Sequence, residues 1–103
     1  MHAARIGVSA EQDLLLGFEF YESQETGLGH YFLDSLIADI DALALYADMH
    51  PKPIAGLSRS LARRFPFAIY YDFDGHTALV LAVLDCRRNS RSIHGTLAAR
   101  RKP

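Results

Sequence analysis

A chain of 103 residues, half of them apolar and 22% charged, has room for one hydrophobic core but not two, so a single folded domain spanning 1–103 is expected. No apolar run approaches the roughly 18 residues needed to cross a bilayer, which excludes a helical membrane span. Met1-His2-Ala3-Ala4-Arg5 lacks the apolar core and cleavage site of a secretory signal, and the single Cys86 cannot form an internal disulfide; both fit a cytoplasmic protein.

Arg5-Ile6-Gly7-Val8 reads as a short strand that Gly7 weakens. Ser9 followed by Gln12 has capping-box spacing, so a helix is expected to open at Ala10, with Glu11 and Asp13 favourable in its first turn. Leu14, Phe18 and Tyr21 recur at helical spacing, Leu15 widens the stripe, and the helix is expected to end near Ser23. Thr26-Gly27-Leu28-Gly29 interrupts this pattern. A second, longer helix then carries Phe32, Leu36, Ile40 and Leu43 on one face, flanked by Leu33, Ile37 and Ala44, with Asp34, Asp39 and Asp41 filling the rest. It is expected to stop near Ala47, because His50-Pro51-Lys52-Pro53 disfavours continuation. Two amphipathic helices with a short Gly-containing link form an αα-hairpin, and each needs a partner surface for its stripe.

The strands follow. Residues 58–64 make a modest candidate with Leu61 as the only large apolar residue, whereas Phe67-Ala68-Ile69-Tyr70-Tyr71-Asp72-Phe73 is rich in aromatic and β-branched side chains. Asp74-Gly75 supplies the two central positions of a type I′ hairpin turn. Residues 77–85 are apolar almost throughout, as in a central strand covered on both faces. A short helix is expected over 92–99, and Arg100-Arg101-Lys102-Pro103 as a frayed basic tail, the tail beginning at about 98. The expected fold is α+β in the order β-α-α-β-β-β, a helical hairpin packed on a small antiparallel sheet.

The net charge of -1 conceals a strong polarity. Residues 1–50 hold nine carboxylates against Arg5 alone, and residues 51–103 hold ten Lys or Arg against Asp72, Asp74 and Asp85. Such asymmetry suggests two surfaces with different partners, one of them anionic; an acidic helical face and a basic sheet face, each merely solvated, would produce the same tally.

Ser9-Ala10-Glu11-Gln12-Asp13-Leu14-Leu15 with Phe18-Glu19-Phe20-Tyr21 resembles the first-helix signature of the RelE/ParE toxin superfamily and its plasmid-stabilisation members. Gly27-Leu28-Gly29 with Phe32-Leu33 is similar to their helical link and second helix. Arg64-Phe65-Pro66-Phe67-Ala68-Ile69-Tyr70-Tyr71 resembles their central strand, and Val83-Leu84-Asp85-Cys86-Arg87-Arg88-Asn89 the edge where the last strand meets the C-terminal segment. The ordered set spans roughly residues 9–97. The resemblance implies a RelE/ParE-like fold and the toxin of a type II toxin–antitoxin pair, held inactive by a cognate antitoxin in a hetero-oligomer. ParE-like members poison DNA gyrase without a catalytic site of their own, while RelE-like members cut mRNA on the ribosome. Fold does not choose between these targets.

Ribonucleolytic cleavage needs a base, an acid and cations around the scissile phosphate. The resemblance to the RelE-like branch puts an arginine just after the first aromatic of the central strand; here that residue is Ala68. Its catalytic tyrosine would fall near His94, the one catalytic candidate, which is otherwise an ordinary surface or capping histidine. Arg59, Arg63, Arg64, Arg87, Arg88 and Arg91 gather near strand ends and are the candidate target-binding residues, able to grip phosphate or carboxylate through forked hydrogen bonds. They are otherwise solvated strand ends or partners of Asp72 and Asp85, and strand alternation would send Arg63 and Arg64 to opposite faces. Cys86 has no context that would activate it. His30, His50 and His76 lack metal-ligand spacing, so neither metal nor cofactor is expected. A binding toxin acting on gyrase is thus the leading expectation. The alternatives are a ribosome-dependent endoribonuclease using His94, and a degenerate, non-toxic interaction module.

Overall fold

The computed structural model describes residues 2–52 and 56–101; Pro53 of the expected helix stop, and Lys102 and Pro103 of the expected tail, lie outside them. Strand β1 (Ala3–Ile6) leads directly into helix α1 (Val8–Gln24), so the first strand sits earlier and the helix opens two residues sooner than the sequence suggested. Gly7, in extended conformation, occupies the N-cap position, and no side chain caps the helix. Ser9 therefore forms no capping box. The Gly7 N–H is bonded to the Val80 carbonyl (2.9 Å), which fixes the chain as it leaves the sheet, and the Gly7 carbonyl already accepts from Glu11 N–H (3.0 Å).

Helix α1 buries Ala10, Asp13, Leu14, Gly17 and Tyr21, while Leu15 is 56% exposed and Phe18 only half-buried. The stripe runs through Gly17 because the hairpin partner comes so close there: a Cβ on Gly17 would lie 2.5 Å from the Phe32 ring. The same tightness recurs at Gly29, whose Cβ would meet the Phe18 carbonyl at 2.6 Å. Between the helices the Glu22 carboxylate accepts from Gly27 N–H (3.0 and 3.1 Å) and Gly29 N–H (2.9 Å), satisfying amides at the start of α2 (Leu28–Asp41). Helix α2 gives way at Ala42 to a single turn, α3 (Leu43–Tyr46), and a 3-10 turn (Ala47–Met49), so the expected single helix is broken. Its apolar stripe is not: Phe32, Leu36, Ile40, Leu43 and Ala47 are all at most 1% exposed.

Four strands order as β1-β4-β3-β2. Strand β2 (Ser58–Leu61) pairs antiparallel with β3 (Phe67–Phe73), and β3 antiparallel with β4 (Thr77–Asp85). Strand β1 runs parallel to β4, so the sheet is mixed rather than wholly antiparallel. Strand β2 is shorter than expected, ending before Arg63 and Arg64. The hairpin turn also sits one residue later. Asp74 and Thr77 close it, Asp74 Oδ1 accepts from His76 and Thr77 N–H, and Gly75 (φ 98°) takes the first central position, where a type II′ turn places glycine.

Phe67, Ile69 and Tyr71 of β3 pack toward the helical hairpin, whereas Ala68 and Tyr70 join Leu57, Ala82, Leu84, Ile93 and Leu97 in a second core beneath helix α4 (Ser90–Arg101). Both faces of the central strands are thus covered, which explains their unbroken apolar sequence. A bulge between Tyr70 and Tyr71 leaves Leu81 without a cross-strand partner. Helix α4 extends beyond the expected 92–99 at both ends: the Asn89 side chain accepts from Ser92 N–H (2.8 Å) at its start. At its end Arg100, expected in a frayed tail, is anchored to Asp13. Among the described residues no helix is long and apolar enough to cross a membrane.

Candidate functional site

The six arginines divide into two groups. Arg63 and Arg64 lie in the irregular segment after β2, where strand alternation no longer applies, and both line one cavity of about 310 Å3 with Tyr31, Asp34, Ser35, Ala38 and Asp39. The expectation of opposite faces fails for that reason. The Arg63 backbone N–H donates to Asp39 Oδ2 (3.1 Å), and the cavity brings the two arginines alongside Asp34 and Asp39 of α2.

Arg87, Arg88 and Arg91 surround the junction of β4 and α4. The exposed Arg87 guanidinium grips Asp85 through two donors, Nε at 2.9 and 3.1 Å and Nη2 at 2.5 Å. The Arg87 guanidinium holds the Asp85 carboxyl below the usual carboxylate range, although partial burial opposes it. Arg88 lies half-buried along α4, with Nη2 on Ser92 Oγ (2.7 Å) and Thr96 Oγ1 (2.9 Å). Arg91 is exposed, with neither ion pair nor hydrogen-bonded side-chain partner among the described residues. Arg59 reaches toward this group from β2. Its Nε donates to the buried Tyr70 hydroxyl (3.2 Å), and Nη2 lies 3.9 Å from the sulfur of Cys86, the residue before Arg87.

The described residues do not bring the candidate nuclease groups together. Ala68 is fully buried in the core beneath α4, between its register partners Leu61 and Leu84, so a longer cationic side chain there would be buried instead of presented to a phosphate. His94 is exposed on α4, and no hydrogen bond orients its ring among the described residues. Among the described residues no group of three or more His, Cys, Asp or Glu could hold a metal ion.

A groove of about 240 Å3 between α1 and the end of β4 escaped the sequence reading; Leu16, Gly17, Phe20, Phe67, Leu84 and Arg88 are among its walls. The signal for it was Leu16 and Phe20, an i, i+4 apolar pair lying off the buried stripe of α1 and exposed by 65% and 52%.

A helical hairpin on one face of a four-stranded mixed sheet, with a C-terminal helix on the other, defines an α+β fold of ParE-like class, as the sequence resemblance implied. Among solved structures the chain is similar to the chromosomal ParDE TA system from P. aeruginosa, with a TM-score of 0.70 and 17% identity, covering 81% of this chain and 94% of that chain. At that identity the likeness is one of fold. No family model matches the chain, and no curated protein sequence does.

Proposed function

We propose that the chain is the toxin of a type II toxin–antitoxin pair and acts by binding DNA gyrase in the ParE-like manner, with a cognate antitoxin neutralising it. The fold likeness to a ParDE system supports the toxin class. The observation that carries the binding mode is the cationic junction of β4 and α4, where Arg87 and Arg91 are exposed beside half-buried Arg88, while among the described residues His94 has no acid–base partner and Ala68 is sealed. Guanidinium groups in this arrangement bind carboxylate or phosphate; they do not by themselves move protons.

The test is DNA supercoiling by purified gyrase in the presence of the chain. Inhibition is expected, with loss of inhibition and of growth arrest in the Arg87→Glu/Arg91→Glu variant. Both positions are exposed, so this variant should keep the fold. Normal supercoiling at large toxin excess removes gyrase as the target. Transcript cleavage on induction that disappears with His94→Ala would replace binding with the ribosome-dependent nuclease.

A further inference from the structure

Tyr31, Asp34, Ser35, Ala38 and Asp39 recur at helical spacing and share one face of α2, beside the buried stripe of Phe32, Leu36 and Ile40. Over this face stands the turn between β2 and β3. Ala62 and Phe65 anchor it in the core, Ala62 N–H reaches the Phe67 carbonyl (2.8 Å), and the Phe65 ring packs on Tyr31 with centroids 5.4 Å apart. Arg63 and Arg64 lie between these anchors, so the cavity of about 310 Å3 that they form with α2 has a fixed backbone frame. Elsewhere arginine and aspartate that meet across the fold close into direct ion pairs, as Arg100 does with Asp13 and Arg101 with Asp72. Here they do not: among the described residues neither guanidinium comes within ion-pairing distance of Asp34 or Asp39. Ser35 is a second sign of a site. It is only 7% exposed, and its hydroxyl has no hydrogen-bond partner among the described residues. No sealed side-chain polar atom is left unpaired there, so that hydroxyl opens onto the cavity.

We propose that this cavity binds a small zwitterion of the amino-acid type, a primary ammonium and a carboxylate joined by a short apolar stem. The ligand carboxylate engages the forked donors of Arg63 and Arg64 and the Ser35 hydroxyl. Its ammonium engages Asp34 and Asp39; the Arg63 backbone N–H holds Asp39 through Oδ2 and leaves Oδ1 for this contact. Tyr31, 47% exposed, and Ala38 give the stem an apolar wall. The volume is at the low end for small-molecule pockets, which suits a ligand of amino-acid size. Either charge alone matches poorly, because an anion meets two carboxylates and a cation meets two guanidinium groups. A ligand with both pairs all four. The rival state is an empty surface whose arginines swing onto Asp34 and Asp39, but exposed ion pairs of that kind gain little by closing. The cavity shares no wall residue with the groove beside α1 or with the β4–α4 junction, and the inference stands whether or not the chain is a toxin.

The probe is 6-aminohexanoate, whose flexible stem adapts to the span between the charges, titrated into the full chain and followed by amide NMR. Hexanoate and hexylamine, each lacking one charge, are the controls. Saturation in the millimolar range is expected for a ligand of this size, with the Ser35, Asp39 and Arg63 amides among the signals that shift. Each control should bind about tenfold more weakly or worse. Asp34→Asn and Arg64→Gln, both at exposed positions, should keep the fold and each lower affinity about tenfold. Asp41→Asn, an exposed carboxylate of α2 outside the cavity, should leave affinity unchanged. Equal binding of hexanoate or hexylamine overturns the proposal, as does indifference to Asp34→Asn or Arg64→Gln, or an equal loss with Asp41→Asn. Shifts confined to the β4–α4 junction, or no saturation at high millimolar probe, overturn it as well, and the second result would mean that the arginines simply close on their neighbouring acids.

Discussion

Asp13 and Arg100, 87 residues apart in the chain, meet in a two-pronged ion pair: Nη1 lies 2.5 Å from Oδ2 and Nη2 2.9 Å from Oδ1. The pair spans the edge of β4, since Asp13 also accepts from Val83 N–H and Arg100 donates to the Leu81 carbonyl left over by the bulge. It ties the hairpin to α4 and satisfies two strand groups that would otherwise face outward unpaired. With the Asp13 and Arg100 side chains 8% and 22% exposed, removing one partner strands the other in poor solvent. Asp13→Ala is expected to cost about 3–5 kcal/mol in urea denaturation. Asp13→Leu with Arg100→Met should recover part of that loss, because two apolar side chains avoid the desolvation of two charges. A neutral Asp13→Ala would show the pair to be dispensable.

Gly17 sets the spacing of the hairpin. Phe32 is fully buried, and its ring atoms Cε2 and Cζ would lie 2.5 Å from a Cβ on Gly17, so the ring has nowhere to go. Gly17→Ala is expected to destabilise by about 1–3 kcal/mol despite the better helix propensity of alanine. Pairing it with Phe32→Leu should restore stability beyond the sum of the two single effects. Strictly additive losses would mean the two positions do not share the space.

The stripe of α2 and the β3–β4 pair are legible in the sequence because local periodicity and β-rich composition agree with the burial they meet, whereas the stripe of α1 is legible only at Leu14 and Tyr21. Residues 32, 36, 40 and 43 are buried as their spacing implies, and residues 67–73 and 77–85 bound their strands. The failures arise where a distant partner decides. Ser9 loses its cap role because Val80 fixes Gly7, and Leu15 faces solvent because Gly17 admits Phe32. Arg100 orders because Asp13 waits across β4. The arginine patch was half legible: nearness in sequence grouped Arg87, Arg88 and Arg91, but an early end to β2 placed Arg63 and Arg64 against α2.

Glu22 links acid stability to the hairpin. The hydrogen bond from Gly27 holds its carboxyl below the ordinary glutamate range; desolvation opposes it less strongly, and the hydrogen bond from Gly29 adds to the lowering. A carboxylate with a depressed folded-state pKa contributes stability that is fully present above its unfolded value and is lost as pH falls through the folded one. Thermal unfolding of the wild type and of Glu22→Gln should therefore differ most near neutral pH and converge in acid. Parallel melting curves across that range would rule out Glu22 as a source of the acid sensitivity.

Tyr71 and His50 close the end of the hairpin with a directional chain of hydrogen bonds. The buried Tyr71 has one O–H, which donates to the Ala47 carbonyl at 2.6 Å; the 2.8 Å contact with His50 Nδ1 is then a donation from the imidazole, fixing the proton on Nδ1. Tyr71→Phe leaves that carbonyl without its donor, at a cost of about 1–3 kcal/mol. His50→Ala should cost less, because the half-buried histidine is within reach of water and Tyr71 keeps its bond to Ala47. Burial also pushes the Tyr71 phenol up. A phenol whose folded pKa is raised withdraws stability as pH climbs past the ordinary tyrosine range, so the wild type should lose more stability in alkali than Tyr71→Phe does. In spectrophotometric titration a phenol ionisation above the ordinary tyrosine range is expected, and this late step should vanish in Tyr71→Phe. A late step that survives the substitution, or a His50→Ala variant less stable than Tyr71→Phe, would contradict this direction of donation.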